Sequence, residues 1–207
     1  ANQINQAEQL YEDLAELMAP SLVHMYPDND LIASEMSISS PELRGQRIEA
    51  LTTWGNDASG ILVAPIAALK RLLPSPHDWQ AYQLSFIYGE DIQVDTYLTS
   101  LVDMGYERTQ MVSAPGEFSV RGGIIDIYPV TEAHPIRIEL FDEEVDSIRY
   151  FDVDTQRSLD TLQEVTILPA TEMILRDDAL QAGADRLEQA YAQTMSTYTT
   201  PEQQEPL

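Results

Sequence analysis

Apolar residues recur at helical spacing at the start of the chain. Ile4, Ala7, Leu10, Tyr11, Leu14 and Leu17 share one face, which predicts an amphipathic helix from Ile4 to Met18, ended by Pro20. Leu22 to Tyr26 is a short apolar run stopped by Pro27 and reads as a buried strand. Ser39 with Glu42 forms a capping-box pair and Pro41 falls in the first turn, so a second helix runs to about Trp54. Gly60 to Ala64 is a core strand, and Ile66 to Leu72 a short helix broken by Pro74 and Pro76. Strand and helix alternating in this way predict a parallel α/β layer over residues 1–81. A pattern that opens on a helix, with no strand before it, reads as a piece cut from a larger domain, with Ala1 as a cloning remnant.

The period changes near Tyr82. Gln83 to Tyr88 reads as a strand, and Val94 to Met104 as a helix with Val94, Tyr97, Leu98, Leu101 and Val102 on one face. Closely spaced strand candidates follow: Tyr106–Val112, Glu117–Arg121, Ile124–Tyr128, Ile136–Phe141 and Val145–Phe151. Pro115-Gly116, Gly122-Gly123, Pro129 and the acidic run Asp142 to Glu144 supply turns between them. Residues 82–168 are therefore expected to form a small α+β domain with an antiparallel sheet. Thr166 to Leu168 is expected to return the chain to the first domain. Residues 169–207 then hold a final amphipathic helix, Asp177 to Met195, and a polar tail from Ser196 that frays.

Charge removes several functions from consideration. Against 35 acidic residues stand 11 basic ones, a net charge of -24, so most of the surface repels nucleic acid. No apolar stretch reaches the roughly 18 residues of a membrane span, and no signal pattern opens the chain, which predicts a cytoplasmic protein without membrane contact. The absence of cysteine excludes disulfides and thiolate metal sites. Lys70 is the one lysine and has no glycine near it, so the chain contains no Walker A motif.

Other candidates read as ordinary structure. His24, His77 and His134 share no ligand spacing. Asp152-Val-Asp154 suits a turn better than a hard cation, and Asp142 to Glu144 suits a solvated hairpin. Ser113, Ser119 and Ser158, read as exposed, have no base placed to activate them. Trp54 and Trp79 read as packing residues.

Five of the basic residues, Arg108, Arg121, Arg137, Arg149 and Arg157, lie between Tyr106 and Arg157. Arginine suits fixed, bidentate recognition of carboxylates. In Glu117 to Gly123, strand alternation puts Phe118 and Val120 on one face and Ser119 and Arg121 on the other. Gly122-Gly123 allows a bulge or tight turn that holds the Arg121 guanidinium at a defined angle. Arg108 sits on the preceding strand, in position to pair across the sheet. These arginines are equally readable as ion pairs to local acids and as an outward recognition surface.

Three long motifs carry a resemblance. Phe118-Ser-Val-Arg-Gly-Gly-Ile-Ile-Asp-Ile-Tyr-Pro129, Arg137-Ile-Glu-Leu-Phe-Asp142 and Glu144-Val-Asp-Ser-Ile-Arg-Tyr-Phe-Asp-Val-Asp-Thr-Gln-Arg-Ser158 resemble the N-terminal UvrB-homology module of the bacterial transcription-repair coupling factors, the Mfd family. Ser40 to Leu51 and Tyr88 to Ile92 resemble it too, and the likeness runs from Leu10 to about Ile174. UvrB itself shares Phe-x-Val-Arg-Gly but has Gly-Asp where this chain has Gly122-Gly123. The stretch Tyr26 to Ser39 is too short for UvrB's tyrosine-rich hairpin and holds one tyrosine. Asp152 to Arg157 likewise favours the coupling factors.

The resemblance implies a truncated RecA-like parallel α/β domain lacking its P-loop, carrying an inserted small sheet domain like UvrB domain 2. It implies that this sheet domain docks UvrA, through arginines at the positions of Arg108 and Arg121, with Phe118 and Ser119 as lesser contacts. UvrB has an arginine where this chain has Ser119. No cofactor and no catalysis are expected of this segment. ATP and Mg2+ belong to motor domains of the full-length parent, a double-stranded DNA translocase that displaces stalled RNA polymerase. A C-terminal domain of the parent is implied to mask the docking face. Two alternatives stand beside docking: part of a nucleotide-hydrolysing helicase or UvrB-like damage-binding core, and a structural, autoinhibitory module.

Overall fold

The computed structural model describes residues 4–19, 22–28, 40–56, 60–70, 73–174 and 177–197. Helix α1 (Ile4–Leu17) packs on a pair of parallel strands, β1 (Val23–Met25) and β2 (Ile61–Val63), which confirms a parallel layer. Its buried face is Ala7, Tyr11, Leu14 and Met18 around Val23 and Val63. Leu10 and Leu17, expected on that face, are exposed instead. A layer of two short strands covers a narrower stripe than the sequence period offers.

Helix α2 (Pro41–Asn56) starts one residue later than the expected cap implies. The Leu43 N–H donates to Ser40 Oγ at 3.2 Å, and Ser39 lies outside the described residues. Pro41 is the first helical residue, so the capping position falls on its immediate neighbour. Gly45, in mid-helix, lies so close to the Val130 carbonyl that a Cβ would sit 2.2 Å from that oxygen. A 3-10 turn, Ile66–Lys70, and helix α3 (Pro76–Ala81) then lead to β3 (Leu84–Ile87) and α4 (Val94–Asp103). Trp79 is buried and donates its Nε1–H to Thr52 Oγ1 at 2.9 Å, whereas Trp54 is substantially exposed rather than packed.

The main sheet of residues 1–174 has six strands in the order β4-β5-β6-β7-β8-β9. Its members are β4 (Glu107–Arg108), β5 (Glu117–Arg121), β6 (Ile124–Tyr128), β7 (Ile136–Phe141), β8 (Glu144–Phe151) and β9 (Ser158–Leu162). All neighbours run antiparallel except β4, which pairs parallel to β5. The expected strand Tyr106–Val112 shrinks to those two edge residues. Beyond Thr109, whose N–H still bonds the Phe118 carbonyl, the chain turns away and buries Val112. Strand β9 has no counterpart in the sequence reading, because it is a mostly exposed edge strand with no buried alternation.

Strand β10 (Glu164–Ile167) pairs antiparallel with β3 rather than rejoining the parallel layer. The expected strand at Thr166 to Leu168 is thus present but paired with β3, and just beyond it Glu172 pairs with Arg47 of α2. One apolar core joins the sheet (Phe118, Ile125, Ile127, Ile136, Ile138, Val145, Ile148) to Phe86, Leu101 and Ile167, and it takes in Ile48 and Trp79. Val94, Tyr97, Leu98 and Leu101 of α4 face that core, but Val102 is exposed. Tyr106 is buried, burial pushes its phenol pKa up, and its hydroxyl donates to the Leu168 carbonyl at 2.8 Å.

The chain divides into two compact units at Ile174. The second contains α5 (Asp177–Thr197), two residues longer than expected, so Ser196 and Thr197 are helical rather than frayed. The rest of the tail, and residues 29–39 of the expected short Tyr26 to Ser39 connection, lie outside the described residues. No helix among the described residues is long and apolar enough to cross a membrane.

Candidate functional site: the polar face of the sheet

The alternation expected for β5 holds. Phe118 and Val120 turn into the core, while Ser119 and Arg121 turn to the opposite face. Gly122 and Gly123 form a two-residue turn with Gly122 at φ 60°, the left-handed first position that glycine suits. The turn pairs Arg121 with Ile124 and Ser119 with Asp126. Asp126 in turn lies opposite Arg137, and Arg137 opposite Arg149. One row of polar residues thus crosses the sheet.

Asp126 organises that row. It is 1% exposed and accepts from Arg137 Nε at 2.6 Å, Arg137 Nη2 at 2.9 Å and Arg121 Nη2 at 2.6 Å. Arg137 also donates to Gln156 Oε1 at 2.9 Å and lies over the Phe151 ring at 4.2 Å. The hydrogen bond to Asp126 raises the pKa of Arg137 above its ordinary value, against burial that lowers it. Beside this cluster Arg149 pairs with Glu139 and with Ser147. That pairing, with Ser147 helping, holds the Glu139 carboxyl below the usual range although burial works against it.

The sequence candidates separate in this frame. Arg121 keeps 45% of its side-chain surface exposed. Among the described residues only its Nη2 is engaged, leaving Nε and Nη1 as free donors. Arg108 is exposed, and no side-chain hydrogen bond or ion pair engages it among the described residues. It lies on the edge strand β4 in register with Phe118, not with Arg121, and it does not pair with Arg121.

Ser119 is a correction. Read as exposed, it is 1% exposed, and its Oγ has no hydrogen-bond partner among the described residues. Phe118, also 1% exposed, is a core residue. Neither presents a surface that an incoming protein touches. Ser113 is satisfied by Glu117, and Asp152 Oδ1 accepts from Thr155 N–H at 2.8 Å and Thr155 Oγ1 at 2.6 Å, the turn geometry expected of it. No group of three or more histidine or acidic residues placed to hold a metal occurs among the described residues.

Asp126 and its clasp on Arg137 were missed by sequence reasoning. A signal was present: a two-residue Gly122-Gly123 turn fixes the register, and with it the acid opposite Ser119 and diagonal to Arg121.

Gly123 also ties two hairpins together. Its carbonyl accepts from the Leu140 N–H at 2.7 Å, and a Cβ on it would lie 2.8 Å from the Leu140 oxygen. Gly123→Ala is expected to lower stability by about 1–3 kcal/mol, as overpacking does. Urea denaturation with no loss would show that the β6–β7 junction yields more easily than this contact implies.

Residues 84–173, which hold this sheet with its buried apolar face and its arginine-bearing polar face, match the family of the UvrB interaction domain. Over nearly its whole length the chain is similar to part of the transcription-repair-coupling factors. It is 45% identical over 200 residues, 97% of its length, to the transcription-repair-coupling factor of Bacillus subtilis (strain 168). Against that of Staphylococcus haemolyticus (strain JCSC1435) it is 44% identical over 93% of its length. The chain spans 17% and 16% of those two relatives.

Proposed function

We propose that the sheet domain docks UvrA, with Arg108 and Arg121 donating charge-assisted hydrogen bonds to carboxylates on that partner. The observation that carries this reading is the half-used guanidinium of Arg121. Asp126 fixes one nitrogen, and the remaining donors face solvent at a defined angle. An arginine held in this way loses less freedom on binding than a mobile one. The ion pair foreseen as an alternative is therefore present, and it serves the outward reading by aiming the side chain. In this proposal the parallel layer of β1 and β2 is the remnant of a RecA-like domain, and the segment itself needs no cofactor. ATP, magnesium, RNA polymerase and double-stranded DNA fall to other parts of the parent, whose C-terminal domain masks the docking face.

Titration of the chain with purified UvrA tests the reading. Arg121→Glu and Arg108→Glu are each expected to weaken binding by about 2–5 kcal/mol, the range for charged contacts that become desolvated. Wild-type affinity in both variants would sink it.

A further inference from the structure

At the end of the sheet that carries Arg121, the two hairpin turns Gly122-Gly123 and Asp142-Glu143 lie side by side, joined by the Leu140 to Gly123 hydrogen bond. Leu140 packs against the core, so alternation turns Phe141 to the face that holds Arg121, Ile124 and Glu139. Phe141 is 76% exposed, and among the described residues Leu17 is the one large hydrophobic side chain more exposed than it. It stands two strands from Arg121, about 10 Å across the sheet. Next to it Asp142, Glu143 and Glu144 are all exposed, and none has a side-chain partner among the described residues. Asp142 holds φ 61°, a left-handed conformation that fixes how the tip projects.

We infer that Phe141 is the apolar anchor of the docking surface, and that the surface is bipolar. The partner presents a carboxylate to Arg121, an apolar cleft to the Phe141 ring and a basic group to the turn from Asp142 to Glu144. This rests on the docking reading above and deepens it. A single exposed aromatic is ordinary on a protein surface. This one stands between an oriented cation and an unpaired acidic turn, on hairpins held to each other by a backbone bond. That arrangement supplies desolvation at the centre and opposite charges at the rim, which fix the orientation of the partner. The acidic turn also discriminates: a uniformly acidic surface satisfies Arg121 and is repelled by Asp142 to Glu144.

The test uses the 207-residue chain and purified UvrA in a calorimetric titration. Phe141→Ala is expected to weaken binding by about tenfold or more, with an unchanged thermal midpoint because the ring is exposed. Phe141→Tyr restores most of the affinity. Glu143→Lys is expected to weaken binding and to reverse its salt dependence at that rim. If wild type does not bind UvrA, the docking reading itself has failed. If wild type binds, Arg121→Glu abolishes binding and Phe141→Ala changes nothing, docking stands and the Phe141 anchor is wrong.

Discussion

Asp126→Ala is expected to destabilise the chain by about 3–5 kcal/mol, the cost of leaving a buried cation without its partner. The cation at risk is Arg137, whose side chain is 13% exposed and donates two of its hydrogen bonds to this one carboxylate. Its remaining contacts, Gln156 Oε1 and the Phe151 ring, carry no formal charge to replace the lost one. Arg121 shares the same carboxylate but stays largely in water, so Arg121→Ala is expected to cost under about 1 kcal/mol. Urea unfolding of the two variants reads the asymmetry directly. Equal losses would mean that Asp126 is not the hub of the row. Asp126→Asn keeps the volume and one acceptor, and is expected to fall between the two. In the proposed docking it also weakens UvrA binding, because Arg121 loses the group that aims it.

The sequence was legible where one face of an element meets the core. The limits of β5, β6 and β7 follow from alternation bounded by glycine, proline and acidic turns, and all three agree with the structure. It was less legible at edges. Strand β4 shrinks and β9 goes unseen because neither buries a periodic face, and pairing there depends on which neighbour comes alongside. The partner of β10 was misread for a related reason, since a four-residue strand does not encode which strand it joins. At the candidate site, the face of Arg121 could be read, but the acid that clasps it could not be found by scanning for charge clusters. Asp126 stands alone between isoleucines in Ile124-Ile125-Asp126-Ile127, and only the register brings it to two arginines. Ser119 shows the opposite error: a polar residue on the polar face reads as exposed, yet it is buried.

The second large effect is expected far from that row, at Glu172. Arg47 in α2 is the largest fully buried side chain among the described residues, and it gathers three parts of the first unit. Its Nε pairs with Glu172 Oε1 and its Nη2 with Glu172 Oε2 at 2.7 Å, while its other donors reach the Pro27 carbonyl and the Tyr26 hydroxyl. Tyr26 in turn donates to Glu172 Oε2 at 2.8 Å, and the guanidinium lies 4.0 Å from the centre of its ring. Burial alone would lower the pKa of Arg47; the bond and charge of Glu172, together with Tyr26 and Asp28, raise it instead. Glu172→Ala leaves this buried cation without its hydrogen-bonded carboxylate and is expected to cost about 3–5 kcal/mol. Arg47→Met removes the charge instead and leaves Glu172, at 11% exposed, nearer to water. The double variant is therefore expected to cost clearly less than the sum of the two singles, a coupling of about 0.5–3 kcal/mol. The whole cycle is measurable by chemical denaturation. Strict additivity would show that the return segment at Glu172 is held by its neighbouring packing, such as Ala170 and Ile174, and not by the ion pair that joins it to α2.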